Sequence, residues 1–344
     1  MRKFLIAIIF LLGVVFIIGQ FSEMQTVWQT LQQGDLRFLV LALGVQLMWT
    51  VNVAVLYRAI YRILGIEENL RDLWRLSLAA NFVNIVAPSG GVGGLAVMLA
   101  HARQRQTSSA RMALGATLYI LFDYYALIIV LALGWAVLIR RGNLTPTEIG
   151  ASIILVAIAS TLGMLLYLGT RSAAALERAL NLLARPVNWV ARWFRREKTP
   201  YLSAQRAHEF AHDAADGLKE VRRQPGALWL PLALALSSKA LLICILFLIF
   251  LSFGVPFSVG TLIAGFSLSY LFVIVSPTPS GIGVVEGMMT LILRSLNIPL
   301  AAGAVVTLAF RGFTFWLPLL MGLVVFRSIG KTHPTDIDTP LEQG

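Results

Sequence analysis

Four ionisable residues sit deep inside otherwise apolar runs of the sequence: Asp123, Lys239, Glu286 and Arg311. At the centre of a membrane helix, Asp, Lys or Arg costs at least about 2.5–3.5 kcal/mol. Such residues must face the protein interior, pair with one another, or line a wet cavity. Two chemistries follow. As structural ion pairs, Asp123 would hold Arg311 and Glu286 would hold Lys239. As a binding set, the cations would engage an anionic group. The planar guanidinium of Arg311 suits a phosphate because it can hold two oxygens at once, and Lys239 would add a point charge. Glu286 and Asp123 would then hold the cations in place, bind a substrate amine, or take up a proton.

Two interruptions lie near these charges. "NFVNIVAPSGGVGG" runs from Asn81 to Gly94, and "VIVSPTPSGIGVVEG" from Val273 to Gly287. Both turn from apolar to Pro-Ser-Gly. Backbone N–H groups freed inside a bilayer are tolerated only against protein, a ligand or water. A hairpin tip followed by a helix start presents N–H donors and a positive dipole end, which suits phosphate. Ser89, Gly90 and Gly91 at the first tip, with Asn84 on the approach, and Ser280, Gly281 and Gly283 at the second are therefore candidate substrate-binding residues. Close helix packing is the other use for such glycines. "GGVGG" has the look of a dinucleotide fingerprint, but no strand precedes it and no Gly-Lys-Ser/Thr follows.

The elements that must position these residues are membrane helices. Of 344 residues, 58% are hydrophobic and 13% charged, and the mean hydropathy is +0.78. The reading is an all-α polytopic membrane protein. Six runs are long and continuous enough to span a bilayer, at about 4–20, 37–57, 110–139, 149–170, 228–252 and 300–327. The first could be a signal peptide, but its apolar core is long and no cleavage site follows, so it reads as a retained helix. Segments 73–105 and 258–296 are apolar but broken.

Suppose the N-terminus is cytoplasmic and the broken segments do not cross. Most of the 28 Lys and Arg then fall on the cytoplasmic side, and Arg37, Arg140, Arg141 and Arg294 fall outside. The broken segments therefore read as re-entrant helical hairpins entering from opposite sides. Span, hairpin and span repeat as units at about 37–139 and 228–328, of opposite topology. That is the pattern of an inverted repeat; two unrelated kinked helices are the alternative. Residues 1–328 form a single membrane domain. Both termini are expected on the cytoplasmic side of a bacterial inner membrane.

Residues 171–227 form a cytoplasmic, basic, amphipathic insert that should lie helically on the anionic leaflet. The tail at 329–344 reads as disordered. The net charge of +11 reflects topology and anionic lipid, not nucleic acid. Cys244 is the single cysteine, and His208 and His212 lack a third ligand, so neither a metal nor a cofactor is expected. No hydrolase, transferase or ATPase motif is present, and the protein is not expected to be an enzyme.

"APSGGVGGLAVMLAHARQ", the next span with Asp123, and "SPTPSGIGVVEGMMTLIL" followed by Arg311 resemble the lysylphosphatidylglycerol synthase transmembrane family. This is the flippase-like region of multiple peptide resistance factors. The resemblance covers about residues 5–328. It implies a lipid translocase with an inverted-repeat core, and makes Glu286, Arg311, Lys239 and Asp123 cavity candidates. The aminoacyltransferase domain of those factors has no counterpart in this sequence. The expected cargo is thus another anionic lipid or a lipid-linked sugar carrier, and the expected partner a homodimer mate or a lipid-modifying enzyme. The alternative is a membrane enzyme or accessory subunit acting on polyprenyl-phosphate or hopanoid lipids.

Overall fold

The computed structural model describes residues 21–86, 92–142, 145–171, 204–276 and 278–331. The apolar run at 4–20, the first tip with Ser89, Gly90 and Gly91, the front of the basic insert and the C-terminal tail lie outside them. All regular structure among the described residues is helical. The helices are α1 (Phe21–Leu31), α2 (Leu36–Ile63), α3 (Leu70–Val86), α4 (Val92–Gln104), α5 (Ser109–Arg141), α6 (Pro146–Arg171), α7 (Ala204–Arg223), α8 (Trp229–Ser252), α9 (Val259–Val275), α10 (Val284–Ser295), α11 (Leu300–Arg311) and α12 (Leu317–Lys331). A π turn, Gly312–Trp316, joins α11 to α12.

Five of the expected spans are present as helices long and apolar enough to cross a membrane. They are α2, α5, α6, α8 with the short turn before it, and α11–α12. The broken segments form two pairs of short helices, α3 with α4 (17 and 13 residues) and α9 with α10 (17 and 12 residues). Each is shorter than the roughly 20 residues that span a bilayer. Within each pair the two helices pack on each other.

Local signals explain the ends. Ser108 caps α5 by accepting from Arg111 N–H at 3.2 Å, and Ser258 caps α9 by accepting from Thr261 N–H at 3.1 Å. Gly142, at φ 67°, closes α5 in the left-handed conformation. Helix α1 was not anticipated. Its Val27 and Thr30 are buried while Trp28 is exposed, and it packs on α11 and the π turn.

The base of each helix pair meets a different end of α5. At its N-terminal end, Asp72 and Arg105 bridge α3 and α4 at 2.7 Å, and Asp213 of α7 accepts from Ser108 at 3.0 Å. At its C-terminal end, Arg141 donates to the carbonyl of Leu296 at 3.1 Å and to Ser258 Oγ at 3.3 Å. Asp35 N–H, at the start of α2, meets the carbonyl of Ser252, at the end of α8, at 2.9 Å. Helices α2 and α8 therefore run antiparallel, and they form the most extensive helix contact among the described residues. Helix α7 buries Ala214, Ala215, Leu218 and Val221 against α5 and α6. The rear of the insert thus packs on protein.

One helix pair closes by near contact of backbones. Helix α12 meets α3 at Gly322, where an added Cβ would lie 2.6 Å from the Leu78 carbonyl oxygen and 2.7 Å from Phe82 Cβ. Neither neighbour is the end of a flexible side chain, so a larger residue must push the helices apart. Gly322→Leu should lower the thermal stability of the detergent-purified protein by about 1–3 kcal/mol. Gly150→Ala, on α6 with nothing within 4 Å, should be neutral or slightly stabilising. Unfolding followed by intrinsic fluorescence checks both.

Candidate functional site

The second interruption builds the site. After Ser276 the sequence reads Pro277, Thr278, Pro279, which ends α9. Ser276 and Thr278 hydroxyls meet at 2.8 Å, and Thr278 donates to the carbonyl of Ile282 at 3.0 Å. The chain then turns through three left-handed residues, Ser280 (φ 49°), Gly281 (φ 74°) and Gly283 (φ 77°). Glycine adopts this freely, but a serine there is strained. The strained turn leaves the Ser280 carbonyl accepting from Arg311 Nη2 at 3.2 Å.

Helix α10 starts immediately after this turn, with Glu286 in its first turn, where a carboxylate is favoured by the helix dipole. Glu286 Oε1 accepts from Arg311 Nε at 2.5 Å. The guanidinium also lies over the Phe315 ring, 4.3 Å from its centre. Arg311 is 4% exposed. Glu286 Oε2 is buried and has no hydrogen-bond partner among the described residues.

The π turn begins at the next residue. The Leu317 N–H reaches back to the Gly312 carbonyl, a five-residue step, and Thr314 Oγ1 donates to the Phe310 carbonyl at 2.8 Å. Such turns widen a helix locally and often mark functional positions.

Arg311 opens on a chamber of about 120 Å³. Its walls include Trp49 of α2, Asn81 and Ile85 of α3, Ser269 and Tyr270 of α9, Ser280 at the turn, and Thr314 and Phe315 of the π turn. A water needs about 10–15 Å³ of such space, so several waters or one phosphate-sized group would fit.

The other two charges form their own pair. Lys239 Nζ donates to Asp123 Oδ1 at 2.6 Å. Lys239 is wholly buried, whereas the Asp123 side chain is 14% exposed. The ammonium also lies over the Tyr270 ring, 3.9 Å from its centre. Neither residue is among the chamber walls. Tyr270, which touches both, stands between the chamber and this pair.

These pairings correct the expected ones. Asp123 takes Lys239, not Arg311, and Glu286 takes Arg311, not Lys239. The reason is packing. Helix α8 lies against α5, and α10 lies against α11, so each acid meets the base on the helix beside it.

The remaining candidates divide. Ser280, Gly281 and Gly283 form the turn that receives Arg311. Asn84 Oδ1 accepts from the Gly94 N–H at 2.6 Å, which ties α3 to the start of α4. Ser89, Gly90 and Gly91 lie outside the described residues.

Residues 4–322 match the sequence profile of the lysylphosphatidylglycerol synthase TM region. The chain belongs to this family. It is also similar to a UPF0104 membrane protein of Methanocaldococcus jannaschii, 22% identical over 342 residues and covering 95% of each chain. The family is that of a membrane region of lipid-related proteins, so the chamber of this family member lies in a multi-pass helical domain.

Tyr270 and Trp49 escaped the sequence reading because each sits in a long apolar run, where an aromatic residue signals packing. Only proximity in the fold brings them to Arg311 and Lys239. Asn81 carried a signal, as a polar residue one turn before Asn84.

The Lys239–Asp123 pair has a testable energetic signature. Removing one partner of a buried pair strands the other charge and costs about 3–5 kcal/mol, whereas apolar replacement of both is near neutral. Asp123→Ala should therefore sharply lower the unfolding temperature in detergent. The double variant Asp123→Leu, Lys239→Met should recover most of that loss, as read by a double-mutant cycle.

Proposed function

We infer that the protein moves an anionic lipid between the two leaflets of its membrane, without ATP and without covalent chemistry. Arg311 carries this reading. It is a buried guanidinium facing a chamber large enough for a phosphate. A phosphate-bearing headgroup would enter beside Arg311, with the Ser280 turn, Asn81 and Thr314 supplying polar contacts. Its acyl tails would stay in apolar surroundings. A groove of about 430 Å³, lined by Val27, Trp28, Leu31, Leu43, Phe313 and Trp316, lies on the other side of the same π turn. One five-residue segment thus has a polar face and an apolar face, as an amphipathic cargo requires.

The fold in the membrane follows from the same reading. The α3–α4 and α9–α10 pairs are re-entrant hairpins entering from opposite sides. Their bases meet opposite ends of α5, which supports this arrangement. The contacts are also reciprocal. The first hairpin's α3 packs on the last span of the second unit, and the second hairpin's α9 packs on α5, the last span of the first. An inverted repeat with its site between the two hairpins produces this pattern. The basic clusters at the α5 N-terminal end support a cytoplasmic position for that end.

Two experiments test the reading. Vesicles holding the purified protein and fluorescent phosphatidylglycerol should show leaflet exchange well above protein-free vesicles. Arg311→Met should lose at least about tenfold of that rate, the effect of about 1.4 kcal/mol on the limiting step. An unchanged rate in a folded Arg311→Met protein would sink the assignment. For topology, Glu67→Cys and Val259→Cys, each in a Cys244→Ser background, should react with impermeant maleimide from opposite sides of the membrane. Labelling of both from one side would rule out opposed hairpins.

A further inference from the structure

The described site has no charge to spare. Two cations, Lys239 and Arg311, are matched by two carboxylates, Asp123 and Glu286, each pair in hydrogen-bond contact. An anion arriving beside Arg311 would bring an uncompensated negative charge into a low-dielectric chamber, where it is costly. Either a cation travels with it or one of the carboxylates gives up its charge.

Glu286 is built for the second course. Its Oε1 is occupied by Arg311 Nε, but its Oε2 is buried with no partner among the described residues. A buried carboxylate oxygen without a hydrogen bond is an expensive group. Adding a proton there neutralises the carboxylate and leaves the Oε1 contact in place. The Glu286 side chain as a whole retains 15% exposure, so its buried Oε2 lies within a bond or two of accessible atoms. Among the described residues, the charged and titratable groups that face it come from two neighbouring helices. Arg311 comes from α11 and cannot lose its proton at accessible pH. Helix α9 presents Tyr270 to the chamber, and the Lys239–Asp123 pair stands behind that ring.

We propose that Glu286 is a proton-binding site that couples anion movement to a pH gradient, one proton travelling with each singly charged headgroup. This rests on the lipid-translocase reading. A proton given up by water on the entry side adds to Glu286 Oε2, the Oε1 contact stays, and the positive charge of Arg311 is left for the anion to balance. When the anion leaves on the far side, the proton leaves Oε2 and the neutral pair is restored. By linkage, anion and proton each strengthen the binding of the other by the same factor. The cycle moves no net charge, so it responds to a pH difference and not to voltage.

The test uses the whole protein in phosphatidylcholine vesicles with a trace of fluorescent phosphatidylglycerol, a phosphodiester that stays singly charged. A pH difference of about two units should drive the probe toward the leaflet on the alkaline side, with a limiting ratio of about 100 for one-to-one coupling. Protein-free vesicles set the baseline, and a protonophore that collapses the gradient should abolish the asymmetry. Glu286→Gln, which keeps the shape and cannot release a proton, should lose the gradient response; Glu286→Asp should retain it. Independently of any variant, adding short-chain phosphatidylglycerol to wild-type protein in weakly buffered detergent should take up protons, approaching one per chain. Exchange in the wild type that ignores the gradient, or no proton uptake, overturns the coupling and leaves the translocase reading standing. No exchange at all above baseline removes the translocase reading itself.

Discussion

Charge neutrality in an apolar interior is the constraint on which the rest of this structure depends. Each buried ion would be prohibitive alone, and each is tolerable because an opposite charge lies within hydrogen-bond distance. The pairs add little net stability by themselves, because desolvation offsets most of the attraction. What they fix is arrangement. Lys239 joins α8 to α5, and Arg311 joins α11 to both the Ser280 turn and α10. Any packing that separates a pair leaves a bare charge, so alternatives are excluded by several kcal/mol each.

The short helices depend on the same matching. A buried chain reversal must satisfy its backbone without water. At the second turn this is done locally, by the Ser276 and Thr278 hydroxyls, and remotely, by Arg311 on the Ser280 carbonyl. The arginine therefore serves the turn and the chamber at once. A substitution there acts on structure and on ligand together, and separating the two needs a readout of each. The left-handed Ser280 belongs to the same economy: its strained φ is maintained because the surrounding contacts determine it.

Much of this was legible in the sequence. Long apolar runs announced the spans, and α2, α5, α6, α8 and α11–α12 appear close to where they were expected. Pro-Gly breaks located the short helix pairs, because those residues act through backbone geometry that needs no tertiary information. That Asp123, Lys239, Glu286 and Arg311 would have to face inward or pair was legible from cost alone. Their partners were not. Pairing between residues 116 positions apart, as for Lys239 and Asp123, is decided by which helix faces lie together, and periodicity is silent on that. The π turn was equally hidden, since Gly312–Trp316 reads as ordinary membrane helix. Helix α1 was missed because it is short, and its Val27 and Leu31 find their cover only on α11 and the π turn.

The two ion pairs are alike in composition but not in setting, and the difference bears on their roles. Lys239 is wholly enclosed, with Tyr270 over its ammonium and Asp123 at 2.6 Å. Arg311 faces a chamber and leaves one oxygen of its partner unmatched. Arg311 keeps its charge whatever its surroundings, because a guanidinium does not shed its proton at accessible pH. A site that must hold an anion repeatedly in a dry interior is better served by the permanent cation on the open side. On the proposed translocase reading, the carboxylate beside it is the charge that adjusts. The enclosed pair, shielded by an aromatic ring, can fix the crossing of α5 and α8 while the open pair changes its state.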